Sequence, residues 1–129
     1  MDYRLTKAER LNSKVVIDRL FSGGNGTMSM FPLRVVWMVT QRQPEEQVPP
    51  VRMLVSVPKK RFRHAVDRNH MKRQVREAFR LHKHILWRVL SDTDKHVDMA
   101  FISITDRLMP SVAVRKAVVK SMVRIAEKL

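Results

Sequence analysis

The sequence predicts an α+β fold, a single two-layer domain in which three helices pack on a small mixed sheet of about four strands. Short segments rich in β-branched and aromatic residues alternate with longer segments that repeat apolar residues at helical spacing, in the order α-β-β-β-α-β-α. The length of 129 residues suits one compact domain, so we expect residues 1–129 to fold as one unit.

The first helix is predicted from Ser13 to Phe21. Ser13 is a favourable N-cap residue, and Ile17 and Phe21 share one side of the helix at i,i+4 spacing. The run SGGNG at residues 22–26 favours turns and therefore ends this helix.

Three strands are predicted before the second helix. Leu33–Thr40 and Arg52–Val57 are rich in strand-forming residues, and Met28–Phe31 is a shorter candidate. The polar, proline-rich segment Gln41–Pro50 is predicted to be a loop. This polar loop between the two longer strands favours a hairpin.

The second helix is the longest predicted element, from Asp67 to Leu90. Its apolar residues fall on one side at helical spacing: Met71, Val75, Ala78, Phe79, Leu86 and Val89. Its basic residues, with Asn69 beside them, fall on the other side: Lys72, Arg73, Arg76, Arg80 and Lys83. A strand at Val97–Ile104 and a last helix from Ser111 to Leu129 complete the chain.

The charge balance restricts the class of partner. Lys and Arg total 26 and Asp and Glu total 12, which gives a net charge of +14 and a pI near 11.3. A compact protein this basic repels itself, and a polyanion such as RNA, DNA or an anionic membrane would offset that repulsion. No apolar run approaches the roughly 18 residues of a membrane span, and no secretory signal follows Met1. We therefore expect a cytoplasmic protein with no membrane partner.

The basic side of the second helix is a candidate binding surface. Like charges at i,i+4 destabilise a helix by roughly 0.2–0.5 kcal/mol per pair, and only Glu77 lies nearby to offset them. Simple solvation explains most charged runs, but it does not explain why these cations share one side. A one-sided stripe can bind consecutive phosphates and release their counterions, which indicates a nucleic-acid contact.

The segment Ala65–Arg80, AVDRNHMKRQVREAFR, resembles the signature of the bacterial ribonuclease P protein family. That signature is Arg-Asn-Arg, then Ile/Met-Lys-Arg, then Arg-Glu-x-Phe, preceded by a strand that ends in two lysines, here Lys59 and Lys60. His70 stands where the family usually has its second arginine, and an imidazole is shorter and mostly neutral at pH 7. The resemblance covers nearly the whole chain and implies a ribosomal S5 domain 2-like fold.

The resemblance also implies a division of labour between protein and RNA. A catalytic RNA subunit, with Mg²⁺ at its active site, would hydrolyse precursor tRNA at the mature 5′ end. This chain would carry no catalytic residue, bind that RNA one to one, and receive the 5′ leader. The implied contacts to the RNA subunit are Arg68, Asn69, His70, Lys72, Arg73, Arg76 and Arg80. The implied leader contacts are Ile17, Phe21, Trp37, Ser56, Lys59 and Lys60.

Alternatives stay open at this point. Ile17, Phe21 and Trp37 could equally be core residues, since amphipathic helices and half-buried strands bury such side chains. The chain could be an RNA-binding module of ribosomal type with no role in cleavage, or a DNA-binding protein, although no helix-turn-helix is evident. A protein-borne nuclease is disfavoured, because the carboxylates are scattered and no H-E-x-x-H motif occurs. A metal site on the protein is left unassigned.

Overall fold

The computed structural model describes residues 4–22, 24–42 and 48–129. Within these residues a short 3₁₀ helix, Lys7–Glu9, precedes four helices and four strands. The helices are α1 (Lys14–Phe21), α2 (Ala65–His82), α3 (His84–Leu90) and α4 (Ser111–Lys128). The strands are β1 (Gly26–Met30), β2 (Leu33–Gln41), β3 (Val51–Ser56) and β4 (Lys95–Ser103). The predicted α+β class with a four-stranded mixed sheet is confirmed, and the long second helix is divided into α2 and α3.

The sheet has the strand order β1-β2-β4-β3. Strand β2 pairs antiparallel with both β1 and β4, whereas β3 pairs parallel with β4. The predicted hairpin between β2 and β3 is therefore wrong, because β4 lies between them. Almost all of β4 is buried, as expected of a central strand. Of the predicted loop Gln41–Pro50, Gln41 belongs to β2 and residues 43–47 lie outside the described residues.

Alternate residues of each strand point to opposite faces of the sheet, and each face has its own core. The α4 face shares its core with α2, α3 and α4 and includes Leu33, Val35 and Trp37 of β2. The α1 face packs against α1 and includes Val36 and Met38 of β2. The larger core lies on the α4 face. The short helix α1 covers only part of the opposite face, where residues of β3 and β4 remain half-buried.

Lys83 separates α2 from α3 and is buried. Its Nζ lies 2.9 Å from each carboxylate oxygen of Glu9 and donates to the carbonyl of Arg4 at 2.6 Å. The prediction that Lys83 belongs to the exposed basic side is therefore wrong, because the buried carboxylate holds it inside. The break also changes which residues of α3 face the core: Leu90 is buried, whereas Val89 is 39% exposed.

Candidate nucleic-acid interface

The outer side of α2 forms a continuous surface, called here the basic face, which consists of Asn69, Lys72, Arg73, Arg76 and Arg80. The opposite side of the helix is buried in the larger core through Met71, Val75, Ala78 and Phe79. Because the basic residues stand three and four positions apart, the helix aligns them on one side. All five are exposed or half-buried, so a rigid, packed helix presents them to solvent.

Arg10 extends the basic face, although it was not among the predicted RNA contacts. The segment before α1 joins the sheet edge: Arg10 forms a parallel bridge with Met53, and the Leu11 amide donates to the Met53 carbonyl at 2.8 Å. Burial, and then the positive charge of Arg10, lower the pKa of the Arg76 guanidinium. Two cations whose charges act on each other favour an anion beside them. The residues are far apart in sequence, so no local spacing could have revealed the pair.

Arg68 and His70 differ from the other predicted RNA contacts. Arg68 is half-buried, and its Nη1 donates to the carbonyls of Phe62 and Arg63 at 2.8 and 3.2 Å. It therefore fixes the segment before α2 onto that helix, which is a structural role. His70 is exposed on the flank of α2 that faces α4, where it lines a groove together with Arg115.

Arg80 forms an ion pair within α2. Its Nε donates to Oε2 of Glu77 at 3.2 Å, and its Nη2 contacts Oε1 of the same carboxylate. These hydrogen bonds lower the pKa of Glu77 and raise the pKa of Arg80. The pair lies at the surface, where ion pairs contribute little to stability, so an RNA phosphate can replace the carboxylate at small cost.

Five of the six predicted leader contacts lie on or beside the α1 face. Helix α1 carries Ile17, which is half-buried, and Phe21, which is 46% exposed. Ser56 ends β3 with its side chain on the α1 face, and Lys59 and Lys60 are exposed in the turn that follows. Exposed or half-buried apolar, hydroxyl and cationic groups thus border the part of the sheet that α1 leaves uncovered.

The prediction of Trp37 as a leader contact is wrong. Its side chain is 6% exposed and lies in the larger core, with the Lys128 ammonium 5.7 Å from its ring centre. Gly26 pairs with Trp37 across β1 and β2, and a Cβ at that glycine would meet the ring at 3.0–3.2 Å. Strand alternation decides the direction, since residue 37 points to the same face as Val35. The interpretation of Trp37 as a core residue is confirmed.

A buried polar network on the α1 face was not predicted. Arg52 on β3 donates from Nε to Oδ1 of Asp98 on β4 at 3.0 Å, and His96 Nε2 lies 2.7 Å from the same oxygen. The other ring nitrogen of His96 lies 2.7 Å from the carbonyl oxygen of Pro49. Burial raises the pKa of Asp98, but the hydrogen bonds from His96 and Arg52 lower it by more, so it lies below its ordinary value. The network joins β3 to β4 on the α1 face of the sheet.

Within residues 4–22, 24–42 and 48–129, no group of three or more His, Cys, Asp or Glu side chains is arranged to hold a metal ion. No helix in these ranges combines the length and the apolar character needed to cross a membrane.

Most of the chain matches one known family. Residues 5–102 match the family model described as ribonuclease P. This span includes Arg10, the basic face and the residues bordering the α1 face. The chain belongs to the ribonuclease P protein family. The matched span ends in β4, so α4 lies beyond it.

Curated relatives and solved structures agree with the ribonuclease P family. The chain is 43% identical over 124 residues to the ribonuclease P protein component of Porphyromonas gingivalis, a match that covers 96% of this chain and 88% of that one. It is 40% identical over 104 residues to the ribonuclease P protein component of Chlorobaculum tepidum, covering 76% and 66%. The structure superposes on the RNase P protein of Staphylococcus aureus with a TM-score of 0.67 and 25% identity, covering 94% and 97% of the two chains.

Proposed function

We propose that this ribonuclease P family protein is the protein subunit of a ribonucleoprotein enzyme that removes the 5′ leader from precursor tRNA. It binds the catalytic RNA subunit through the basic face and the leader through the α1 face. The observation that carries the proposal is that the family's motif segment forms the exposed side of α2, which Arg10 continues.

The basic face suits a phosphate backbone. Four cations from α2, with Arg10 beside them, lie on a helix whose opposite side is fully packed, so little ordering is needed when RNA binds. Each neutralised phosphate releases counterions, and affinity should therefore fall steeply with salt. Arginine supplies forked donors that match phosphate oxygens, which favours the three arginines of this face over lysine in that role.

The α1 face suits a single strand of varied sequence. Phe21 is exposed at the end of α1, and any base can stack on an aromatic ring for ~1–3 kcal/mol. Lys59 and Lys60 supply positive charge beyond the end of β3 without reading base edges. A subunit that accepts many different leaders needs this tolerance.

The chemistry of cleavage is assigned to the partner RNA, with Mg²⁺ at its active site. The chain offers phosphate-binding cations and a stacking ring, and it would offset repulsion between two RNAs so that less bulk Mg²⁺ is required. We assign a stoichiometry of one protein to one RNA subunit, acting in the cytoplasm.

A binding experiment with the reconstituted complex separates the two surfaces. We expect Arg73→Ala to weaken assembly with the RNA subunit by about tenfold or more, since a charge-assisted hydrogen bond contributes ~1.5–3 kcal/mol. Phe21→Ala should leave assembly unchanged and reduce the preference for leader-bearing over leaderless precursor. Arg124→Ala, an exposed arginine of α4, is the matched control for lost charge.

Two results would contradict the proposal. If Phe21→Ala and Arg73→Ala affected only thermal stability, neither surface would bind RNA. If the chain bound RNA tightly but leader-bearing and leaderless precursors bound equally, a ribosomal-type RNA-binding module would be the better description.

A further inference from the structure

Phe31 is an exposed aromatic residue that the surfaces described above do not use. Of the Phe and Trp side chains within the described residues, only Phe21 and Phe31 are exposed, at 46% and 64%. Phe31 lies in the turn between β1 and β2, beside the buried Pro32. Its ring is therefore accessible for stacking on a planar group of a partner.

Cationic side chains flank Phe31 on two sides. On one side the ring borders a groove of about 510 Å³ that is also lined by Arg61, Arg107 and Asp106. On the other side it borders a groove of about 320 Å³, with Lys116 and Lys120 of α4 along its wall. We call Phe31 and these four cations the Phe31 strip. Four positive charges against the single carboxylate of Asp106 leave a net charge of +3.

The Phe31 strip is continuous with the proposed leader contacts. Arg61 belongs to the same turn as Lys59 and Lys60, and its Nη1 donates to the carbonyl of Ile104 at 3.1 Å. The Ile104 amide in turn donates to the carbonyl of Pro32, next to Phe31, at 3.0 Å. The end of β3 and the start of β2 both lie beside the end of β4. Because β4 stands between these two strands, the two points are two strand spacings, or roughly 10 Å, apart.

We propose that the Phe31 strip is a second subsite for single-stranded RNA and that it binds the 5′-distal part of the leader. An exposed ring flanked by cations is the arrangement that stacks an unpaired base and holds its adjoining phosphates. The 3′ end of the leader is joined to the tRNA, so nucleotides that pass beyond Lys59 and Lys60 belong to its free 5′ part. The inference rests on the proposed leader binding at the α1 face.

The test is a series of precursor tRNAs whose leaders are lengthened one nucleotide at a time, bound to the complex of this protein with its RNA subunit. Wild-type affinity should rise once as the leader covers the α1 face and again as it reaches Phe31. Phe31→Leu, which keeps an apolar side chain but removes the stacking ring, should lower the second rise by about tenfold. It should leave leaderless and short-leader precursors unchanged.

Charge and control variants sharpen the test. Lys116→Gln should reduce the salt slope by roughly 0.7 for long leaders only, as expected for one lost phosphate contact on a single strand. Val123→Ala is a control, because Val123 is a partly exposed apolar residue on α4 outside both grooves. It should change neither of the two rises in affinity. Because Phe31 is 64% exposed, its replacement should leave the unfolding midpoint in place, and a melting curve checks this.

Failure of the Phe31 subsite and failure of the proposed function give different results in this series. If Phe31→Leu leaves affinity unchanged at every leader length while Phe21→Ala lowers the first rise, the second subsite is refuted and the proposed function stands. If Phe31→Leu weakens leaderless and long-leader precursors equally, the occupant is the RNA subunit or the tRNA body, not the leader. If wild-type affinity does not depend on the leader at all, both proposals fail together.

Discussion

The buried Lys83–Glu9 ion pair tests most directly whether Lys83 stabilises the fold or belongs to the exposed basic side of the helix, as its spacing predicted. Both side chains are 2% exposed, and the three ammonium protons of Lys83 have three acceptors: the two carboxylate oxygens of Glu9 and the carbonyl of Arg4. Replacing Lys83 by Met keeps an unbranched side chain, one atom shorter, and removes its charge. We expect this change to destabilise the fold while leaving the basic face intact.

The magnitude follows from what remains behind. Removing one partner of a buried ion pair typically costs ~3–5 kcal/mol, because the other charge stays buried without compensation. Here the Glu9 carboxylate keeps hydrogen bonds from the Thr6 amide and hydroxyl, at 3.1 and 3.0 Å, so we expect the lower end, about 3 kcal/mol. That is a large share of the ~5–15 kcal/mol that stabilises a typical domain.

Urea unfolding of the free protein measures this loss, and RNA affinity is measured in parallel. Lys72→Met is the matched control, since it removes a cation of the basic face and should weaken RNA binding with little change in stability. Adding Glu9→Gln to Lys83→Met should recover at least ~1 kcal/mol, because it removes the uncompensated charge. If Lys83→Met lost less than about 1 kcal/mol and weakened RNA binding as Lys72→Met does, Lys83 would be an exposed contact and the reasoning would be refuted.

Three further predictions concern acid stability, a turn and the extended basic face. The pKa of Asp98 lies below its ordinary value of 3.8, so the ionised carboxylate stabilises the fold at pH values above 3.8. This stabilisation should disappear as the pH falls through the lower pKa of the folded state. The Asp98→Asn variant should be less stable at neutral pH, and its unfolding free energy should depend less on pH in the acid range. Gly24 has φ +45°, and a Cβ there would lie 2.7 Å from the Trp37 carbonyl oxygen, so Gly24→Ala should cost about 2 kcal/mol in thermal or urea unfolding. Arg10→Ala should not reduce stability, because it relieves the repulsion of Arg76. Its RNA affinity should fall, and the dependence of that affinity on salt should be smaller by roughly 0.9 in slope. An unchanged slope would show that Arg10 does not contact RNA.

Local periodicity accounts for the parts of the structure that were predicted correctly. The spacing of Met71, Val75 and Phe79 determines which side of α2 is buried, and that alone directs the basic face outward. The class of fold and most element positions followed from the same kind of evidence. Helix and strand periods are properties of neighbouring residues, so one chain is enough to show them.

The errors arose where contacts between distant residues decide the outcome. Lys83 fits the basic side of a continuous helix by spacing, and only the carboxylate of Glu9, brought in by the N-terminal segment, explains why it is buried. Trp37 could have faced either side of β2, and the packing of α4 on one face determined which. The position of β4 between β2 and β3, and the approach of Arg10 to Arg76, depend on the same long-range assembly.

The central claim is that this chain supports a reaction whose catalyst is its partner RNA. The most direct measurement is cleavage of precursor tRNA by the cognate RNA subunit at low Mg²⁺, with and without the protein. We predict cleavage at the mature 5′ end only when both components are present. Tight RNA binding without any stimulation of cleavage, or cleavage by the protein alone, would contradict the account.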